Sequence, residues 1–396
     1  MKNIELNFQR LQQEDYAFDN IFQSSGYDWP GDWEGRALLA FACHYEMHGK
    51  KIACMEKLVS ALPLHTNSAF YFGKEYDGET VDEQQLSGHN WYLRGLLKYA
   101  KLMHSEFAMQ VAKSTVEHLY LPIAEKYKTY PLIREKQGGV SGNITTVRDG
   151  WRLSSDIGCA FMCVDGLAQY YKQTKDVRVK TFLDTVLEFF QTIDYVAVGF
   201  QTHTTLSCAR GVLTLYEATQ EVGYLKLAES IFERYVQAGM TLTYENFNWF
   251  GREDTWTEPC AVVDSFILAV ELFKITHKDE YRVLARRIWF NGLQFCQRSG
   301  GGAGPNTCVT EKQSILKMVL YEAPFCCTMR YAEGLLEYVK NKALFDWNEK
   351  AQVQIDDYGR RFIDDKLLVW YKDKEVPLFA GHKLVERDET SLKVIF

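Results

Sequence analysis

One helical hairpin opens six times along this chain, and that repetition restricts the fold more than any single residue does. The openings are Ala37-Leu38-Leu39-Ala40-Phe41, Gly95-Leu96-Leu97-Lys98-Tyr99, Gly166-Leu167-Ala168-Gln169-Tyr170, Gly211-Val212-Leu213-Thr214-Leu215-Tyr216, Ala269-Val270-Glu271-Leu272-Phe273 and Gly334-Leu335-Leu336-Glu337-Tyr338. A small residue begins an apolar stretch at helical spacing. A polar turn such as Thr174-Lys175-Asp176 or Thr276-His277-Lys278-Asp279 follows, and a second amphipathic segment runs back. The small residue lets neighbouring helices approach closely. Six such first helices predict an all-α fold, an (α/α)6 toroid or barrel. An open solenoid is the alternative, but the spacing here is irregular and open arrays keep a stricter period.

The segments between hairpins are long: 64–81, 128–152, 239–257 and 298–325. All lead into first helices, so they are expected at one end of the ring, and connections of that length are more often functional than incidental. From about residue 345 the pattern changes to alternation, as in Leu367-Leu368-Val369-Trp370-Tyr371. The expected organisation is a barrel domain over 1–344 and a small β-rich C-terminal appendage over 345–396.

Composition excludes several roles. The net charge of -7 comes without a basic run, which argues against a nucleic-acid partner. No apolar run approaches the roughly 20 residues of a membrane helix, so no membrane partner is expected. The N-terminal Met1-Lys2-Asn3-Ile4-Glu5 lacks the apolar core of a signal peptide. A cytoplasmic location is expected, or a periplasmic one where a leader has been trimmed, and a homo-oligomer is compatible with the sequence. In a reducing compartment the ten cysteines are not expected to pair. Cys43, Cys54, Cys159, Cys163, Cys208 and Cys296 sit in apolar helical patterns and read as small buried hydrophobes.

The unusual polar residues fall just ahead of the repeat openings. Trp33 and Glu34 precede Ala37, His89 precedes Gly95, Asp156 precedes Gly166 and His203 precedes Gly211. Glu258 and Cys260 precede Ala269, and Cys326 and Cys327 precede Gly334. In a ring of parallel first helices these positions gather at one mouth, where helix N-termini favour thiolates and carboxylates. Glu258-Pro259-Cys260 and Cys326-Cys327 read as zinc ligands, since Zn2+ takes thiolate and carboxylate in a tetrahedron. Two buried cysteines and a capping glutamate account for the bare pattern as well.

At these residues the chain resembles the β-L-arabinofuranosidases of glycoside hydrolase family 127. The likeness rests on Glu258-x-Cys260, on Cys326-Cys327, on Ser87-Gly88-His89 and on Thr202-His203-Thr204-Thr205, and covers most of residues 30–340 as repeat pattern. It implies a retaining glycosidase acting on an oligosaccharide or glycoside. Cys326 would be the nucleophile, and would hold zinc together with Cys327, Glu258 and Cys260. Glu245, in Tyr244-Glu245-Asn246-Phe247, best matches the family's acid/base, and His89 and His203 would be sugar contacts. The chain departs from the family in a shorter Glu245-to-Glu258 spacing, in a missing histidine near which Asp156 and Ser154 lie, and in a reduced C-terminal β region.

On this reading Glu34 and Asp156 bind sugar hydroxyls beside the two histidines. Trp33, Trp91, Trp249 and Trp256 are stacking candidates. His44, His48, His104, His118, His277 and His382 are left as structural or surface residues. Two other readings compete: a sugar epimerase or unsaturated-uronide hydrolase on the same toroid, which would use His pairs or Asp without zinc, and a carbohydrate-binding protein with a structural zinc.

Overall fold

The computed structural model describes residues 2–22, 29–134, 142, 144–310, 312–313 and 316–344 (backbone only at 144 and 145), plus the backbone of five short strands after residue 350. The chain divides into two compact units. The larger comprises residues 11–238 and 249–251; the smaller comprises 1–10, 239–248 and 252–396.

The larger unit holds four hairpins: Asp32–His48 with Met55–His65, Glu83–Met103 with Glu106–Thr115, Cys163–Thr174 with Val177–Gln191, and Thr202–Thr219 with Val222–Ala238. First and second helices differ in how they bury. Every residue from Glu83 to Leu97 is buried, so that helix is enclosed on all sides. Val177–Gln191 instead buries one stripe, Val179, Phe182, Leu183, Val186, Leu187 and Phe190, at the i, i+3, i+4 spacing of an amphipathic helix.

The turns between paired helices repeat one device. His104, Lys175 and Gln220 each take a left-handed backbone, and each N–H returns to the carbonyl four residues earlier. Ser105 and Asp176 then cap the returning helices by accepting from the N–H groups of Ala108 and Arg178. Between neighbouring hairpins the small residues act as expected. A Cβ on Gly95 would lie 2.6 Å from the carbonyl oxygen of Gly35, and one on Gly211 would lie 2.5 Å from the backbone of Val164; Gly35, which is not one of the six openings, is tighter still, 2.1 Å from the backbone nitrogen of Tyr92.

The connections are not all loop. Val81–Asp82 pairs in parallel with Trp151–Ser154, which pairs antiparallel with Ile144–Arg148. The hairpin turns at Asp149-Gly150, both with positive φ, the chemistry of a type I′ turn. A buried ion pair ties this sheet to the next first helix. Glu83 accepts from Arg134 and from the N–H of Ser154, both at 2.6 Å, and from the Tyr130 hydroxyl.

In the smaller unit Pro259–Thr276 pairs with Asp279–Arg287, and Cys327–Lys340 packs against the N-terminal helix Lys2–Arg10. Asn7 donates to the carbonyls of Gly301 and Thr328, both at 3.1 Å, and Arg10 meets Glu322 at 2.9 Å. The sixth opening thus finds a partner helix at the start of the chain. After residue 350, Gln354–Ile355, Arg360–Ile363 and Lys366–Val369 form an antiparallel sheet, and Lys383–Arg387 pairs with Leu392–Ile395. Of the alternating run expected there, Trp370 and Tyr371 lie outside the described residues. Among the described residues no helix is long and apolar enough to cross a membrane.

Gly35→Ala should destabilise the protein by about 3 kcal/mol, because the added methyl meets backbone that cannot rotate away. A urea melt followed by circular dichroism measures this. A midpoint unchanged from wild type would show that the helices can separate freely there.

Candidate functional site

Three sulphurs of the smaller unit converge. Cys260 is the second residue of Pro259–Thr276 and Cys327 is the first of Cys327–Lys340, so both lie in first helical turns. Cys326 caps the second helix with a non-helical backbone, φ -147° and ψ -65°. Consecutive residues of a regular helix point about 100° apart; the break at Cys326 lets two adjacent side chains turn to the same side. The Sγ atoms of Cys326 and Cys327 are 3.3 Å apart, those of Cys260 and Cys327 are 3.8 Å apart, and all three lie within 4.8 Å of one another.

These spacings suit a shared ion. Zinc–sulphur bonds of about 2.3 Å in a tetrahedron place sulphurs about 3.8 Å apart. Burial, with the neighbouring Cys260 and Cys326 sulphurs, pushes the Cys327 thiol well above its ordinary range. Crowded thiols of this kind ionise together only when a cation sits among them. Glu258 is extended, as the residue before a proline must be, and Pro259 starts the helix at its first position. A carboxylate oxygen of Glu258 comes within 4.8 Å of the Cys260 sulphur, but Glu258 stands outside the three-thiol group. The structure therefore assembles the three cysteines directly and leaves Glu258 beside them.

Glu245 belongs to the same unit and is wholly buried. Its Oε1 accepts from the Asn306 amide at 2.7 Å and the Thr257 hydroxyl at 3.1 Å, and Oε2 accepts from the Thr243 hydroxyl at 3.0 Å. Burial raises its pKa to about 7, against the opposing pull of Asn306, Thr243, Thr257 and the Arg298 charge. A carboxyl that titrates there can both give and take a proton at neutral pH. Asn306, Thr243 and Thr257 are not among the residues to which the sequence points. Thr243 and Thr257 flank Glu245 and Glu258 and could have been suspected, whereas Asn306 comes from a distant connection with no local signal.

The expected sugar contacts lie in the larger unit and fare unevenly. His89 is fully buried with both ring nitrogens engaged: Nε2 accepts from the N–H of Phe72 at 2.9 Å, and Nδ1 faces the Gln85 carbonyl at 2.7 Å. These two bonds tie the 64–81 connection to the helix. Trp91 is likewise enclosed, with Arg36 4.0 Å above its ring, Arg94 at 4.9 Å and His203 stacked at 5.5 Å. Trp249 is buried and bridges Gln201 through its backbone. Asp156 is buried and accepts from the N–H of Gly142 at 3.0 Å. Trp33 and Glu34 are half-buried in the first turn of Asp32–His48. Burial, reinforced by the charge of Asp32, raises Glu34 to about 8. In the smaller unit Trp256 is half-buried and bridges Thr307.

No family model matches the sequence, and no curated protein matches it. Solved structures do. A β-arabinofuranosidase of glycoside hydrolase family 127 superposes with a TM-score of 0.56 at 13% identity, over 92% of this chain and 62% of its own. A second glycoside hydrolase gives 0.53 at 13% identity, over 81% and 57%. A sugar epimerase from a ruminal bacterium gives 0.52 at 11% identity, over 85% and 98%. The chain spans about three-fifths of the length of the first two. Identities this low establish the fold alone: a mostly helical protein of the α/α toroid class.

Glu34 generates a stability test. Its folded pKa of about 8 stands above the ordinary 4.5, so the folded protein holds a proton that the unfolded chain releases. Wild-type stability should fall as pH rises from 4.5 towards about 8 and level off beyond it. Glu34→Gln lacks this slope, so its melting temperature should gain on wild type by several degrees across that window. A gap that stays constant with pH would mean the carboxyl is ionised throughout.

Proposed function

We propose that the protein is a retaining glycoside hydrolase that removes a terminal sugar, with Cys326 as nucleophile, Glu245 as acid/base and zinc held by Cys260, Cys326 and Cys327, with Glu258 as the fourth ligand. The observation that carries this reading is the meeting of three thiols at two helix N-termini, with Cys326 half-exposed while Cys260 and Cys327 are buried. A purely structural site closes over all its ligands; here one of the three cysteines is only half-buried. The substrate class proposed is a β-L-arabinofuranoside or a related plant-polysaccharide sugar, in line with the family 127 neighbour.

Zinc, when bound, keeps the sulphurs as thiolates at neutral pH. Cys326 Sγ attacks the anomeric carbon as the glycosidic C–O bond breaks, and Glu245 gives its proton to the departing oxygen. In the second step Glu245 takes a proton from water, whose oxygen attacks the same carbon. The C–S bond breaks and its electron pair returns to Cys326. Two displacements on one carbon retain its configuration. Glu34, Asp156 and His203 are the larger unit's candidates for binding sugar hydroxyls and Trp33 and Trp249 its candidates for stacking; His89 and Trp91, whose partners are protein groups, are the weaker candidates.

The fold is also that of a sugar epimerase. An epimerase would invert a free sugar and would tolerate loss of Cys326, so the two readings part on one variant.

The purified protein should carry about one zinc per chain, and Cys260→Ser should lose most of it. Against aryl glycosides that include β-L-arabinofuranoside, Cys326→Ser should lower kcat at least about a thousandfold. Near-normal cleavage by that variant would rule the mechanism out. Glu245→Gln should cost about a hundred- to ten-thousandfold. The wild-type rate should fall as pH rises through about 7, where Glu245 loses the proton it must donate. That limb should vanish in Glu245→Gln, and NMR of the product should show retention.

A further inference from the structure

The two oxygens of Glu245 are held in unlike ways. At Oε1 one partner, the Asn306 amide, cannot reverse its hydrogen bond. The Thr257 hydroxyl accepts from the N–H of Asn306 at 2.9 Å and donates to Oε1 at 3.1 Å. The Asn306 amide has one workable orientation, because its Oδ1 accepts from Arg298 at 3.0 Å. Flipping it would press NH2 against a guanidinium and a carbonyl against a carboxylate. Arg298 is fixed in turn. It is 5% exposed and donates to the carbonyls of Phe295 at 3.0 Å, Pro305 at 2.9 Å, Leu320 at 3.1 Å and Tyr321 at 2.9 Å.

Oε2 meets a reversible partner. The Thr243 hydroxyl lies 3.0 Å from it and 3.0 Å from the Thr241 hydroxyl, which also accepts from the N–H of Glu245 at 3.1 Å. Hydroxyls donate or accept as required. With a proton on Oε2, Glu245 donates to Thr243 and Thr243 donates to Thr241. Without it, Thr241 donates to Thr243 and Thr243 to Oε2. Neither state breaks a hydrogen bond along this chain.

We propose that Asn306, locked by Arg298, is a positioning residue that reserves Oε1 of Glu245 for negative charge and makes Oε2 the oxygen that carries the proton. Among the described residues, the other titratable groups that act on Glu245 include the thiols of Cys296 and Cys308, both pushed up by burial and so neutral, and the Arg298 charge. The catalytic meaning of this assignment rests on the acid/base reading above, but the assignment itself does not.

The test is a 13C NMR titration of the full-length, metal-loaded protein labelled at its glutamate carboxyl carbons, with Glu245→Gln identifying the resonance. Asn306→Ala should raise the Glu245 midpoint by about one pH unit, because the ionised form loses a charge-assisted hydrogen bond. Thr257→Val strips the other donor from the same oxygen, should shift the midpoint the same way, and serves if Asn306→Ala does not fold. Thr243→Val should move it less than half as far, since both protonation states lose one bond there. A shift in Thr243→Val equal to or larger than that in the Oε1 variants, or no shift in either Oε1 variant, overturns the proposal. Turnover is not the readout, so a protein that cleaves no glycoside still tests the assignment.

Discussion

Asp264 and Arg330 form an ion pair with no exposure on either side. Asp264 follows Cys260 by four residues, and Arg330 follows Cys327 by three, so on each helix the charged residue and the cysteine share a face. Closing the pair sets the two helices parallel and in register, and the sulphurs then meet one turn above it. A slip of a single residue would displace them by about 1.5 Å, enough to spoil a shared ligand set. Buried ion pairs are weak sources of net stability. Here the pair's value lies in fixing where two helix N-termini stand relative to one another.

The carboxyl and the thiols are held by opposite means. The cysteines crowd their sulphurs together, an arrangement that a shared cation would complete. Glu245 is surrounded by donors that the protein supplies in full. Its connection is tied down on both sides: the N–H of Thr241 donates to the Glu245 carbonyl at 2.9 Å, and the N–H of Leu242 to the Val309 carbonyl at 3.1 Å. Tyr244 adopts a left-handed backbone with φ 61°, an unfavourable state for a side chain of its size. That twist turns Tyr244 to a half-buried position, where its hydroxyl accepts from Arg287 at 3.2 Å, and sends Glu245 inward. Backbone strain is placed one residue before the group that needs aiming.

Much of this could be read from the sequence, for physical reasons. The hairpin repeat was legible because close helix approach demands small residues at regular places, as at Gly211. The cysteine cluster was legible because Pro259 and the adjacent pair Cys326-Cys327 mark helix starts. The Asp149-Gly150 hairpin carried its signal openly, but lay in a connection read as loop. Other features leave no local trace. His89 and Trp91 sit at positions that suit a binding site, and nothing in the pattern announces the partners they meet, Phe72, Gln85, Arg36 and Arg94. The pairing of Lys2–Arg10 with Cys327–Lys340 joins segments more than 300 residues apart, which no pattern in either predicts.

If the proposed chemistry holds, its pH limits follow from this division of labour. A sulphur bound to zinc stays ionised far below the range of a free thiol, so Cys326 would impose no limit near neutrality. Glu245, poised at about 7 by burial against three donors, would impose the upper one alone. Lowering that limit would take a further donor at Oε1, and raising it would take the loss of one. The residues that tune the working range are therefore not those that touch the sugar. They are Asn306, held by Arg298 within the 298–325 connection, and Thr257, which accepts from the Asn306 N–H.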